Sequence, residues 1–252
     1  MNGYAYFAEY YDVLTQNVGY EERAEYLLSL LKRHHHTAGL TLDLACGTGS
    51  LTLALHRRGV DVFGADASSE MLSMAQQKFM EDDRQTLFLC QKMQDLTLYA
   101  PVHTCFCTLD SINHLPSAED VVRTFRRIAD NLEDDGLLVF DCNTVYKHRH
   151  ILGDNCYIYD TPEVFCAWQN SYFEEQDEVV ITLDFFEPDG NGQRYRRYTE
   201  QFSERAYTED VMETMLKQAG LVTEAIYDDL CFSAPRPETQ REIFVVRKMN
   251  HV

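Results

Sequence analysis

Several features that define other protein classes are missing from this 252-residue sequence. No apolar run approaches the roughly 18 residues that suggest a membrane-spanning helix, so we expect no membrane protein. The N-terminus has no basic region followed by an apolar one, so we expect no signal peptide and a cytoplasmic location. The eight cysteines include no CxxC pair. This pattern disfavours a metal site or a disulfide framework and predicts buried reduced thiols such as Cys90, Cys105, Cys107 and Cys142.

Positive charge is also scarce, since 22 basic residues stand against 41 acidic ones and the formal net charge is −19. A protein that binds nucleic acid usually presents a basic face, so this balance disfavours nucleic acid and anionic membranes as partners. The notable basic cluster is Arg194, Arg196 and Arg197, interleaved with tyrosines. Its alternation favours a strand with a solvated arginine face over an RNA-stacking surface.

The most informative stretch is a predicted strand, turn and helix near residue 45. An apolar run at 40–44 meets small residues at 45–49, and a helix-like pattern follows at 51–55. Small residues let a ligand approach the backbone, and the start of a helix offers free N–H groups. This unit is typical of a nucleotide-binding α/β domain.

The details of that turn argue against a dinucleotide. The dinucleotide pattern G-x-G-x-x-G is incomplete, because Thr52 stands where its third glycine belongs. Asp43 at the strand end would repel a pyrophosphate but suits a ligand that carries an ammonium or a sulfonium group. An NAD-dependent reductase is therefore disfavoured. The order acid-x-small-x-Gly-x-Gly, with Ala45 in place of the first glycine, resembles motif I of the class I S-adenosylmethionine-dependent methyltransferases.

A second motif supports the same resemblance. Residues 60–65 are typical of a buried strand, and Asp66 ends it at the place where related sheets carry an acid that binds ribose hydroxyls. Ser68 or Ser69 can cap the following helix. Residues 66–72 resemble the family's second motif, D-x-S-x-x-M-L. The resemblance implies S-adenosylmethionine as the cofactor and S-adenosylhomocysteine as the product, with no metal.

The adenine is expected beyond the third strand, at 87–90. In similar methyltransferases an acid often stands where this chain has Lys92. The acceptor for the adenine amino group is therefore open between the Gln94 side chain and a backbone carbonyl, and Met93 can pack on the adenine face. The fourth strand, 103–108, ends at a turn that should face the sulfonium and the methyl acceptor, because ligands of open α/β sheets lie beyond the carboxyl ends of the strands.

His114 in that turn is the candidate base, since histidine exchanges protons near neutral pH; the alternative is a structural hydrogen bond. Tyr11 is a second candidate for catalysis. The predicted acceptor-site residues are His114, Asn143 and Trp168, although a single tryptophan in a lid can equally be core. The predicted cofactor-binding residues are Tyr11, Tyr20, Asp43, Ala45, Cys46, Gly47, Asp66, Ala67, Met71, Met93, Gln94, Leu109 and Asp110.

Strands alternate with helices up to about residue 143. A turn at 134–136 precedes the fifth strand, which ends at Asp141. A β-rich segment follows, and Thr208 can cap the helix after it. The predicted fold is α/β, with a Rossmann-like seven-stranded sheet that is mostly parallel, a last strand that is antiparallel, and an inserted antiparallel β lid. We expect an N-terminal helical cover at 1–36, a cofactor-binding domain at 37–145 and 206–252, and a substrate lid at 146–205 with a hairpin loop at 188–192. Such a lid resembles those of bacterial small-molecule methyltransferases, including amino-sugar N-methyltransferases.

The resemblance implies an enzyme that transfers a methyl group from S-adenosylmethionine to a nitrogen or oxygen atom of a small molecule. One alternative keeps the chemistry but takes RNA or a ribosomal component as substrate. Another is a binding module for S-adenosylmethionine without enzymatic activity. The sequence leaves open the acceptor, the base and the oligomeric state, with a homodimer as one possibility.

Overall fold

The computed structural model describes residues 5–189 and 194–249. Two helices open the described chain, α1 at Ala5–Leu14 and α2 at Tyr20–Arg33. The first residues of the predicted N-terminal cover, and residues 190–192 of the predicted hairpin loop, lie outside the described residues. None of the described helices combines the length and the apolarity needed to cross a membrane.

A seven-stranded sheet forms the centre of the fold, in the order β10-β11-β5-β4-β1-β2-β3 with strands numbered along the chain. Strands β1 to β5 run parallel, and β11 is antiparallel to both of its neighbours. This topology confirms the predicted fold class. The strands are β1 Leu40–Leu44, β2 Asp61–Asp66, β3 Phe88–Cys90, β4 Val102–Cys107, β5 Leu132–Asn143, β10 Leu221–Asp228 and β11 Arg241–Lys248.

Both faces of this sheet are buried. Successive side chains of a strand point to opposite faces, so each strand contributes to two core clusters. In β5, Leu138 and Phe140 pack into one core cluster while Leu137 and Val139 pack into another. This double burial explains why the inner strands are almost continuously apolar. The remaining helices are α3 Ser50–Arg57, α4 Ser69–Glu81, α5 Ala118–Asn131 and α6 Glu209–Gln218.

The predicted lid is a separate four-stranded antiparallel sheet in the order β6-β7-β8-β9. Alternate residues of β8, from Val179 to Phe185, are buried and pack against Phe7 and Tyr10 of α1. Helix α1 therefore lies against the lid. Arg196 and Arg197 of the basic cluster lie in β9, so this part of the cluster is a strand as predicted. Arg197 makes an ion pair with Asp184 at 2.8 Å. The strands are β6 Cys156–Asp160, β7 Phe165–Phe173, β8 Glu178–Pro188 and β9 Tyr195–Arg205.

The sequence-based prediction was wrong at several local points. The turn predicted at 134–136 lies inside β5 as a bulge: the pairing of β4 with β5 shifts register there, and Asp135 adopts a positive φ of 63°. Thr208 precedes α6 but makes no capping hydrogen bond with its side chain. Cys90 is exposed, because it ends the short edge strand β3, whereas Cys105, Cys107 and Cys142 are buried as predicted. A π-helical turn at Lys147–Leu152 was not predicted.

Candidate active site

A cleft of about 440 Å³ opens at the carboxyl ends of β1, β2 and β4, which is where an open α/β sheet binds its ligand. Most residues predicted from the sequence lie in its wall. Those that line the cleft are Tyr11, Tyr20, Asp43, Ala45, Cys46, Gly47, Asp66, Ala67, Met71, Met93, Gln94, Leu109 and His114. Other wall residues were not predicted from the sequence, among them Phe7, Thr48, Ser50, Ser68, Glu70 and Ser111.

The glycine turn is shaped to leave room for a ligand. Gly47 has a φ of 53°, and a Cβ added there would meet no atom within 4 Å. Gly49 has a φ of 72°, and a Cβ there would lie 2.8 Å from the Cβ of Ala75, so this glycine allows α3 and α4 to pack closely. Ala45, where the related motif has a glycine, also adopts a positive φ of 58°, which is uncommon for a residue with a side chain.

Asp66 fixes that turn from the end of β2. Its Oδ2 accepts a hydrogen bond from the Gly47 N–H at 2.9 Å, and its Oδ1 accepts one from the Ser68 N–H at 2.9 Å. Burial raises the pKa of Asp66 despite these bonds. Each carboxylate oxygen has a further lone pair, so the group can still accept hydrogen bonds from ligand hydroxyls. Ser68, rather than Ser69, caps α4, because its hydroxyl accepts from the Met71 N–H at 3.2 Å.

Asp43 places a buried carboxyl group in the cleft wall. Burial raises its pKa to about 7, while the Thr52 hydroxyl donates a hydrogen bond of 2.6 Å to its Oδ2. A cationic ligand nearby would favour the ionised carboxylate. Thr52 therefore supports Asp43 from the position of the missing third glycine. This contact between Thr52 and Asp43 was not predicted from the sequence.

Asp12 connects helix α1 to the main domain beside the cleft through contacts that were not predicted from the sequence. Asp12 forms an ion pair with Lys78 of α4 at 2.7 Å. Its Oδ1 accepts hydrogen bonds from the Thr48 hydroxyl at 2.7 Å and from the Ser50 hydroxyl at 3.3 Å. These bonds tie α1, which carries the cleft residue Tyr11, to the start of α3. The partners are far apart in sequence, so no local pattern could have revealed them.

The turn after β4 is held by a buried acid at the end of β5. Leu109 and Asp110 have positive φ values of 58° and 53°. Their N–H groups donate to the two carboxylate oxygens of Asp141, at 2.9 Å and 2.8 Å. Strained backbone of this kind persists only where the surrounding structure fixes it, and Asp141 supplies that support. From the sequence, Asp141 was predicted only to end a strand.

Asp110, which was predicted to bind the cofactor, does not line the cleft, and its carboxylate pairs with a basic side chain instead. Its Oδ1 lies 2.6 Å from the Arg241 guanidinium, which also bonds Asp141. Burial alone would raise the pKa of Asp110, but Arg241 and Lys147 hold it well below its usual range. The charge of this carboxylate is thus compensated within the protein.

His114 lines the cleft and faces two carboxylates. Its Nε2 lies 3.7 Å from Glu204 Oε1 and 3.9 Å from Asp110 Oδ2. Its ring packs on Phe202, with the centroids 5.3 Å apart. Its Nδ1 has no hydrogen-bond partner among the described residues. His114 therefore has its Nε2 near two acids and its Nδ1 buried in the protein.

Two residues predicted at the acceptor site, Asn143 and Trp168, do not line the cleft. Asn143, the last residue of β5, is buried. Its side chain belongs to a buried polar network, in which its Nδ2 donates to Glu204 Oε2 at 2.9 Å. Trp168 packs in the lid core, where its indole N–H donates to Asn170 at 2.7 Å. The alternative of a core tryptophan therefore describes Trp168 better.

Comparisons with known proteins agree with this geometry. A family model described as a methyltransferase domain matches residues 41–136. "Putative methyltransferase YqeM" of Bacillus subtilis is 30% identical over 250 residues, which are 97% of this chain and 97% of that protein. A dTDP-3-amino-3,6-dideoxy-alpha-D-glucopyranose N,N-dimethyltransferase of Streptomyces fradiae is 29% identical over 136 residues, 53% of this chain and 52% of that protein. An S-adenosylmethionine-dependent methyltransferase from Clostridium acetobutylicum is 30% identical to this chain in sequence. Its crystal structure superposes on this fold with a TM-score of 0.87, and the match covers 99% of this chain and 100% of that one.

Proposed function

Because this chain belongs to the S-adenosylmethionine-dependent methyltransferases, we propose that it methylates a nitrogen or oxygen atom of a small molecule. The observation that carries this proposal is a single cleft in which the glycine turn and His114 both take part. A cofactor held at the turn would lie in the same space as a group that can accept a proton. The identity of the acceptor and the domain boundaries 1–36, 37–145, 146–205 and 206–252 are part of this proposal.

The residues of the cleft fit the cofactor. When bound, S-adenosylmethionine supplies a methyl group that its sulfonium has already activated. Gly47 leaves open space at the turn, and Asp66 can accept hydrogen bonds from ribose hydroxyls. The buried carboxyl of Asp43 suits a ligand with positive charge, and the rings of Tyr11 and Tyr20 can stabilise a cation. On the adenine side, Gln91 and Gln94 both line the cleft, but the Gln91 side chain is already bonded to the backbone of Thr97.

The main task of the protein is then to align the acceptor and to exclude water. An ammonium or hydroxyl acceptor must lose a proton when it is methylated. His114, which lines the cleft, is the first candidate to take it, and Tyr11 is the second. Burial holds the pKa of Tyr11 well above its usual range, which makes His114 the better base.

A small molecule is a better substrate for this chain than RNA. The net charge is −19, and Arg197 in the basic cluster is already paired with Asp184. Similarity to the Streptomyces fradiae amino-sugar dimethyltransferase supports an amine acceptor. The cytoplasmic location and the homodimer suggested by the sequence stay predictions.

The proposal is tested by methyl transfer from S-adenosylmethionine with a labelled methyl group. Panels of amines, amino sugars and hydroxylated metabolites are compared with bulk RNA as acceptors. We expect label in one small-molecule class and none in RNA. Label in RNA alone would overturn the choice of substrate class.

Replacing Asp66 with alanine is expected to weaken binding of S-adenosylhomocysteine by about 1–3 kcal/mol, because the turn and the ribose both lose an acceptor. Calorimetric titration measures this change. Asp61→Ala, at the exposed start of the same strand, is the matched control and should bind as the wild type does. Unchanged affinity in Asp66→Ala would contradict the ribose assignment.

Replacing Asp12 with asparagine is expected to speed the release of S-adenosylhomocysteine about two- to fivefold, since a partly exposed ion pair contributes at most about 1 kcal/mol. The physical reason is that α1 loses its ion pair with Lys78. Stopped-flow displacement measures the release rate, and Glu9→Gln, an exposed change on the same helix, is the control. Equal release rates for wild type and Asp12→Asn would show that Asp12 does not fasten α1 over the cofactor.

A further inference from the structure

Asp43 is a buried acid in the wall of the cleft, and one neighbouring side chain holds its carboxyl group. The residue is only 2% exposed, and the Thr52 hydroxyl donates a hydrogen bond of 2.6 Å to its Oδ2. The other oxygen, Oδ1, makes no hydrogen bond to a described residue and is not enclosed by the protein. Since Asp43 lines the cleft, Oδ1 is the oxygen that a bound ligand can reach.

Thr52 stands in α3 at the position where a dinucleotide motif has its third glycine, and it is fully buried. Glycine has no side chain with which to donate a hydrogen bond. A buried hydroxyl needs a partner, and a carboxylate gains most from one, because hydrogen bonds to charged groups are stronger than those between neutral groups. The threonine at this position therefore changes what the acid of β1 can do.

The other surroundings of Asp43 work against a negative charge. Burial raises its pKa to about 7, the Thr52 hydroxyl lowers the pKa, and the charge of Asp66 on β2 raises it again. No lysine or arginine of the described residues is among the charges that act on Asp43. The remaining titratable groups beside it are thiols whose pKa values burial raises, so they stay neutral near pH 7: Cys46, Cys105 and Cys107. Thr52 is thus the side chain that favours the carboxylate before a ligand binds.

We propose that Thr52 is the positioning residue for Asp43: its hydroxyl keeps the carboxylate ionised and leaves Oδ1 to meet the positive charge of the bound cofactor. Thr52 is not among the residues that line the cleft, so it acts through Asp43. A cation beside an ionised carboxylate favours the same charge state, so the ligand and the hydroxyl act in one direction. This inference rests on the cofactor in the proposed function and is independent of the acceptor.

The test is carbon-13 NMR of the aspartate carboxyl groups across a pH titration, with the Asp43 resonance assigned by its loss in Asp43→Asn. In the ligand-free protein, Thr52→Val should raise the midpoint of the Asp43 titration by about 1–2 pH units, the size of a lost hydrogen bond to a charged group. Thr52→Ser, which keeps the hydroxyl, should restore the wild-type midpoint. The matched control is Thr124→Val, because Thr124 is an equally buried helical threonine whose hydroxyl has no partner among the described residues.

The second arm compares ligands on the wild-type protein. Binding of S-adenosylmethionine should lower the Asp43 midpoint, because the cation favours the carboxylate. 5′-Methylthioadenosine, which has neither the ammonium nor the sulfonium, should leave the midpoint unchanged. A lower midpoint with S-adenosylhomocysteine as well would identify the ammonium as the charge that Asp43 meets, and a lower midpoint with S-adenosylmethionine alone would identify the sulfonium.

Two results would overturn the role of the Thr52 hydroxyl: an unchanged midpoint in Thr52→Val, or a midpoint in Thr52→Ser as high as that in Thr52→Val. A wild-type midpoint that S-adenosylmethionine does not lower would overturn the role of the Asp43 charge, even if Thr52→Val failed to fold. Failure to find a small-molecule acceptor would refute the proposed substrate class and would leave both titrations standing, so the two failures are distinguishable.

Discussion

Replacing Arg241 with methionine is expected to lower the free energy of unfolding by about 3–5 kcal/mol, the usual effect of removing one partner from a buried ion pair. The Arg241 side chain is 11% exposed and lies between Asp110 and Asp141. Without it, Arg23 at 3.3 Å is the one guanidinium left beside Asp141 among the described residues, and Asp110 loses its pair with arginine. The turn after β4, which both acids help to form, should loosen as well.

Equilibrium unfolding in urea measures this effect. Arg236→Met is the matched control, because its ion pair with Asp228 is largely exposed on the arginine side and should contribute at most about 1 kcal/mol. Equal losses in the two variants, or no loss in Arg241→Met, would contradict the role of Arg241 as the compensating charge beneath the active-site turn.

Replacing His114 with asparagine is expected to slow methyl transfer by about 10²- to 10⁴-fold, the range for removal of a general base. The affinity for S-adenosylhomocysteine should change little, because the turn and Asp66 are untouched. Single-turnover transfer of a labelled methyl group to the acceptor found by screening measures the rate. His150→Asn, an exposed change in the π-helical turn of the lid, is the control.

Full activity in His114→Asn would remove His114 as the base and leave Tyr11 as the remaining candidate. A loss of cofactor affinity equal to the loss of rate would show a structural role instead. Only a lower rate at nearly constant affinity supports proton transfer by His114.

The parts of the site that could be predicted from the sequence depend on residues close together in the chain. The turn around Gly47 and the acid Asp66 belong to neighbouring strands of one βα unit, so their spacing determines their geometry. The alternation of strands and helices likewise predicted an α/β core. The resemblance to the methyltransferases implied the seven-stranded sheet and the inserted antiparallel sheet, and the structure confirms both sheets.

The remaining parts depend on contacts between distant segments. Asp12 meets Lys78, Asp110 meets Arg241, and Glu204 approaches His114 only after the lid has packed on the main domain. No local periodicity records such pairings. Asn143 and Trp168 were placed at the acceptor site because of where they stand in the chain. Their side chains instead serve a buried network and the lid core.

The most direct test of the account is a calorimetric titration of the protein with S-adenosylmethionine, S-adenosylhomocysteine and NADH in parallel. We predict micromolar binding of the two sulfur nucleosides, as suits a cleft with a buried acid and an open glycine turn, and no binding of NADH. Binding of NADH alone would contradict the assignment of the turn around Gly47 to S-adenosylmethionine. Binding of none of the three would contradict the claim that this cleft holds the cofactor.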